Sequence, residues 1–300
     1  MAKPLDQVLQ EKYATQAKLA MSVQKPIGLV KYCEKGDATS GESFTFYRAE
    51  ESTAKDGLPS MYNDDDKGYK GDTGNNGGDA GALKPFKVYG DYISSQQKIP
   101  DIQFKKTSLD AKGTLQRTMS IAVEHKADEK ILDSIKTKDS ELKKQDFASG
   151  TAKGIDDEKV IRALVGKIAV AHASAEMTPD GQKGVSVLIN LKDWELLVQS
   201  NYFLNADFKE SIEWGDNERP TRIKGAEFLV TKNDDMVPSG TIYIVPSNTC
   251  GFATWKGTEK GVAEYHETDG ARWHLQNRKY VGAICIEPKF ITKFTFKATA

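Results

Sequence analysis

Residues 108–138, SLDAKGTLQRTMSIAVEHKADEKILDSIKTK, decide the architecture. Leu115, Met119, Ala122, Val123, Ala127, Ile131, Leu132 and Ile135 recur at helical spacing on one apolar stripe. Thr107 or Ser108 is a suitable N-cap, because a hydroxyl accepts one of the amides that the first helical turn leaves unpaired. At 1.5 Å per residue such a helix runs about 40 Å, longer than a compact domain of this chain length requires. It needs something flat to lie against. Glu124 and Asp128, four apart, share a face; they either meet a basic partner or are solvated beside Lys126 and Lys130.

Upstream, residues 42–50, ESFTFYRAE, alternate Phe44, Phe46 and Arg48 on one side with Ser43, Thr45 and Tyr47 on the other. That pattern predicts a strand with two usable faces. Residues 86–93, FKVYGDYI, predict its partner, so the segment is a long hairpin. Between them, residues 55–84 hold seven glycines and six aspartates and almost nothing that can be buried. A stretch of this kind offsets its ordering entropy only against another surface. At the N-terminus, Leu5, Val8, Leu9, Tyr13, Ala17, Ala20 and Val23 form the apolar edge of a further helix, stopped by Pro26 and Gly28. With nothing of its own to lie on, it docks on a later part of the chain or on another molecule.

Downstream, helices and strands alternate. Residues 157–177 are predicted helical, VSVLI is a strand, and LKDWELLVQ is a helix that Asn190 caps. Further strands follow at EFLV (227–230), TIYIV (241–245), GFATW (251–255), YVGAICI (280–286) and ITKFTF (291–296), separated by turn signals. The fold class is α+β.

Composition narrows the chemistry. Lys and Arg number 42 against 43 Asp and Glu, leaving no cationic surplus for tight nucleic-acid binding. Cys33, Cys250 and Cys285 are far apart and form no CxxC pair, a pattern of reducing compartments. No N-terminal apolar signal and no membrane-length apolar run is present, and the expected place of synthesis is the cytoplasm. Neither phosphate-binding glycine motif occurs, and His125, His172, His266 and His274 have no metal-ligand spacing. His172 shares a face with Ile161, Val165 and Ile168, which predicts a hydrogen-bonded core histidine. The Asp64–Asp65–Asp66 run fails the EF-hand spacing and reads as a solvated acidic loop rather than a calcium site. No catalytic residue, cofactor or metal is expected.

The order of parts, terminal arm, charged hairpin, one beam helix, then an α+β region, resembles the major capsid proteins of tailed bacteriophages with the Hong Kong 97-type fold. LDQVLQEKYATQAKLAMSVQKPIGLV (5–30) resembles their N-terminal arm, and RTMSIAVEHKADEKILDSI (117–135) the end of their spine helix. VLINLKDWELLVQ (187–199) is similar to a strand and helix of their axial domain. FLNADF (203–208), IKGAEFLVTKN (223–233) and NRKYVGAICIEPKFITKFTF (277–296) resemble downstream segments and closing strands.

That resemblance implies an arm at 1–29, an extended loop at 30–104 with its glycine-rich tip at 55–84, and a peripheral domain with the spine helix at 105–150. An axial domain at 151–275 and closing strands at 276–300 complete it. It implies a subunit that forms hexamers and pentamers of an icosahedral shell around double-stranded DNA, located in the virion. Scaffolding, portal and decoration proteins would be partners, the scaffold being separate or dispensed with. Phe44, Phe46, Arg48, Glu50, Tyr89, Glu124 and Asp128 are the expected assembly contacts, Arg48 through a charge contact to a neighbouring subunit. Two rival readings are a cellular nanocompartment shell of the same fold and a phage tail or adhesin binding module.

Overall fold

The apolar stripe forms α1, Ala111–Thr137, in a computed structural model that describes residues 26–49, 83–100, 111–149, 153–176, 184–200, 212–214, 220–258, 260–266 and 272–298. Its 27 residues match the expected length of the beam. Met119, Val123, Ala127, Ile131, Leu132 and Ile135 are buried as the periodicity requires. Ala122 is exposed instead, because the stripe turns away from it toward the side that carries buried Asp128. The expected caps, Thr107 and Ser108, lie outside the described residues.

What α1 lies against is a five-stranded sheet. It consists of β1 (Glu34–Ala38), β11 (Cys250–Trp255), β13 (Arg272–Cys285), β12 (Lys260–His266) and β4 (Asp91–Pro100). β13 is its spine: β11 and then β12 pair along it, and β4 pairs antiparallel with it from Arg272 to Val281. Alternation gives the sheet two faces. On one, Ile93, Phe252 and Val281 pack with Val123 and Ala127 of α1. The other carries Tyr280, Gly282, Ala253 and Trp255, and a two-stranded ribbon lies across it.

That ribbon pairs β2 (Ser43–Ala49) antiparallel with β3 (Leu83–Tyr89), in register from Ser43–Tyr89 to Ala49–Leu83. The expected hairpin is therefore present, but FKVYGDYI is not one strand. Gly90 breaks it, and Asp91 onward leaves the ribbon to become β4. Gly90 lies so close to the Tyr280 ring that a β-carbon there would overlap it.

The second sheet has seven strands: β5 (Lys143–Asp146), β14 (Thr292–Thr295), β10 (Thr241–Pro246), β6 (Val185–Asn190), β9 (Ala226–Thr231), β8 (Pro220–Ile223) and β7 (Ile212–Trp214). Every residue of β6 and β10 is buried, which explains their unbroken apolar runs. One face packs on α2 (Glu158–Glu176) and α3 (Leu191–Gln199) through Val187, Ile189, Ile242 and Ile244. The other joins the core beneath α1 through Leu188, Tyr243 and Val245. Asn190 caps α3, its side chain accepting the amide of Lys192. The molecule is thus mixed α+β, mostly sheet, with three helices among the described residues.

Candidate assembly surface

The ribbon's two faces have different fates. Phe44, Phe46 and Arg48 point inward with Phe86 and Val88, onto glycines that leave room for them. An ideal β-carbon on Gly251 would stand 2.7 Å from the Phe46 ring, one on Gly36 2.5 Å from Phe44, and one on Gly282 2.6 Å from the Tyr89 carbonyl oxygen. Backbone and ring approach as closely as any side chain would forbid. Phe44 and Phe46 meet edge to face, with ring centroids 4.9 Å apart.

The outer face carries Ser43, Thr45, Tyr47, Pro85, Lys87 and Tyr89. Tyr47 is 59% exposed and Tyr89 64%, and Tyr92 at the start of β4 is 63% exposed. The Lys87 ammonium sits 5.1 Å from the Tyr89 ring centroid. Large aromatic side chains left in water with a cation beside them are the composition of an interface core rather than of an ordinary surface.

Four of the seven expected contact residues are instead committed to their own chain. Arg48 is 7% exposed, donates to the carbonyl of Asn248 at 2.5 Å, and pairs with Glu34 at 2.7 Å. The expected charge contact from Arg48 to a neighbour gives way to this internal ion pair, because a desolvated guanidinium must find anions and carbonyls where it is buried. Asp128 is likewise internal, at 1% exposure, and accepts the amides of Gly28 and Val30 at 2.8 and 3.3 Å. Burial pushes its carboxyl above the ordinary aspartate range, while the amides of residues 27–30 pull it back. Phe44 and Phe46 face the sheet. Only Tyr89 and Glu124 present themselves to solvent, and Glu50 lies outside the described residues. Tyr47 and Tyr92 were not among the expected contacts. The alternation that placed Tyr47 opposite Phe46 contained the signal, but both faces are aromatic, and alternation does not say which one looks inward.

The Asp128 contact also fixes where the terminal arm joins the body. Gly28, with φ of 85°, starts a 3-10 turn over Leu29–Tyr32 on α1, and Leu29 and Cys33 enter the core. Lys31 pairs with Glu227 of β9 at 2.8 Å, and the Tyr32 hydroxyl donates to the same carboxylate. One short turn thereby ties α1 to the second sheet. The expected terminal helix, residues 5–23, and the acidic tip lie outside the described residues.

Among the described residues no group of three His, Cys, Asp or Glu could hold a metal ion, and no described helix is long and apolar enough to cross a membrane. The three cysteines are buried and unpaired by disulfides, and burial holds the Cys33 thiol well above its usual range. His172 departs from its expected core hydrogen bond: it is half-buried, and its Nε2 is enclosed without a partner among the described residues.

No family model and no curated protein matches the sequence. Solved structures do match, end to end. A subunit of the capsid of cyanophage P-SCSP1u superposes with a TM-score of 0.59 at 12% identity, covering 89% of this chain and 87% of that one. Its fold is that of a capsid shell subunit. The same likeness extends to the capsid of Ralstonia phage GP4, with a TM-score of 0.53, 12% identity and 93% of both chains covered. It extends also to a virus-like particle from Pyrococcus furiosus, with a TM-score of 0.52, 12% identity, and 94% and 96% covered.

Proposed function

We propose that the chain is the major capsid protein of a tailed bacteriophage, a subunit that assembles into hexamers and pentamers of an icosahedral shell around double-stranded DNA. The observation that carries this reading is the likeness to capsid subunits over about nine-tenths of both chains. Fold alone does not dictate function. The ribbon face left exposed among the described residues adds the physical reason: Tyr47, Tyr89 and Tyr92 are the kind of contact that a self-assembling subunit buries on its neighbour. In this reading the work of the chain is self-association rather than catalysis. α1 is the spine helix, and the five-stranded sheet it lies on belongs to the peripheral domain. The seven-stranded sheet with α2 and α3 is the core of the axial domain, and the ribbon is the base of the extended loop. Scaffolding, portal and decoration proteins would be its partners in the virion.

Electron microscopy of the expressed chain, alone and with its scaffold, is expected to give closed shells or free capsomers. A strictly monomeric protein under every assembly condition contradicts the proposal. The Pyrococcus furiosus particle supports a second reading of the same fold, a nanocompartment shell. The contents of purified particles separate the two: DNA with tail proteins supports the first, a single enclosed enzyme the second.

A further inference from the structure

The three cysteines of the chain, far apart in sequence, meet on the five-stranded sheet. Cys250 of β11 is the register partner of Cys285 of β13. The next pair along, Thr249 and Ile286, is a hydrogen-bonded one, the Ile286 amide donating to the Thr249 carbonyl at 2.9 Å. Antiparallel pairs alternate, so Cys250 and Cys285 form a non-hydrogen-bonded pair. Partners of that kind hold their Cα atoms about 4.5 Å apart, inside the range of about 4.4–6.8 Å that a disulfide spans. Both side chains enter the core cluster beneath α1, and the two thiols share a hydrogen bond. Cys33 completes a row. It stands one step before Glu34, whose parallel partner is Gly251, and is therefore level with Cys250. Its thiol turns back to the Leu29 carbonyl at 3.6 Å.

We propose that Cys250 and Cys285 are a latent cross-strand disulfide, open in a reducing medium and closed by a small organic disulfide, that locks the sheet beneath the ribbon. The proposal goes beyond the shell reading and needs no neighbouring subunit. Its chemistry is thiol–disulfide exchange. Cys285 gives up its proton, and its thiolate attacks one sulfur of the oxidant and expels the other half as a thiolate, which takes up a proton. The Cys250 thiolate then attacks the Cys285 sulfur and expels the second half in the same way. Two protein thiols are oxidised, and one organic disulfide is reduced to two thiols. Cys285 takes the first step because it lines a cavity of about 410 Å³ between α1, Tyr89 and β13, and Cys250 does not. Closure encloses residues 251–284 in a covalent loop. Gly251, Ala253, Trp255, Tyr280 and Gly282, on which the ribbon lies, all fall inside it. Restricting that loop in the unfolded chain stabilises the closed form. Cys33 is no substitute for Cys250, because two strand spacings, about 9–10 Å, separate it from Cys285.

The test is incubation of the folded chain with hydroxyethyl disulfide, followed by alkylation of the remaining thiols and mass mapping of its peptides. The expected product is lighter by two hydrogens, carries a bond between Cys250 and Cys285, and is alkylated at Cys33 alone. Cys33→Ser should close as completely as the natural chain. Cys250→Ser should form no internal bond; should it fail to fold, Cys250→Ala takes its place, and the peptide map of the natural chain decides without either. The closed chain should melt about 5 °C above the same chain reopened with dithiothreitol. A natural chain that keeps all its thiols free, that closes only once unfolded, that stops at a reagent adduct on Cys285, or that joins Cys33 to either partner overturns the proposal. So does a closed form that melts no higher than the open one.

Discussion

Asp128 holds the backbone amide of Gly28 at 2.8 Å across a hundred residues of sequence, and that bond sets the point where the terminal arm leaves the body. The same carboxylate takes Val30 at 3.3 Å, so one side chain satisfies two amides of an otherwise uncapped turn. Asp128→Ala removes the acceptor from two partly buried amides, which should cost about 1–3 kcal/mol. Urea unfolding measures it, and an unchanged midpoint would show the clamp to be incidental.

The same group carries a pH dependence whose sign follows from its burial. Because its folded-state pKa is raised, the native state binds the proton more tightly than the unfolded chain does. Its contribution is therefore fully present below the ordinary aspartate value of about 3.9 and is lost as pH rises through the raised one. Asp128→Asn, which cannot ionise, should gain stability relative to the natural chain as pH rises from about 4 to about 7. Melting temperatures of the two proteins across that range check it; a constant difference would mean that the amides fully offset the desolvation.

The ribbon's seat predicts a steric effect with an internal control. Gly282→Ala places a methyl group against the Tyr89 backbone, which cannot swing aside, and should cost about 1–3 kcal/mol. Gly261→Ala, on β12 with nothing within 4 Å of the new carbon, should be near neutral. Equal effects in the two variants would show that the crossing is not tightly packed.

Arg48 should behave as a residue of the fold. Arg48→Ala removes the ion pair with Glu34 and the bond to the Asn248 carbonyl, and the lost charge-assisted bond should destabilise the subunit by about 1.5–3 kcal/mol. The readout is unfolding of the dissociated subunit. A variant that folds with full stability but fails to assemble would return Arg48 to the interface.

Tyr47→Glu with Tyr89→Glu should do the reverse. Both side chains are exposed, so subunit stability should move by no more than about 0.5 kcal/mol per site. The yield of shells, read by sedimentation, should fall sharply. Unchanged yield would remove the outer ribbon face from the assembly contacts.

These pairs also mark how far the sequence could be read. α1 was legible because eight apolar residues keep helical spacing, and α3 because Asn190 stands where a cap belongs. β1, with the sequence EKGDA, was not, since nothing apolar alternates in it; it exists because β11 offers a parallel partner more than two hundred residues away. β5, KKQD, depends in the same way on β14. The inward turn of Arg48 was hidden because its partners, Glu34 and Asn248, lie far off in sequence. The inward choice of Phe46 over Tyr47 was hidden because Gly251 and Gly282, which make room for the ribbon, belong to distant strands. Local spacing reports which side chains share a face; only the assembled sheet decides which face is covered.

A cryo-electron microscopy reconstruction of particles assembled from this chain tests the central claim most directly. The account predicts closed shells of fivefold and sixfold clusters in which Tyr47 and Tyr89 are buried against the adjoining subunit. Particles that leave both tyrosines in solvent, or a chain that yields no particles, would contradict it.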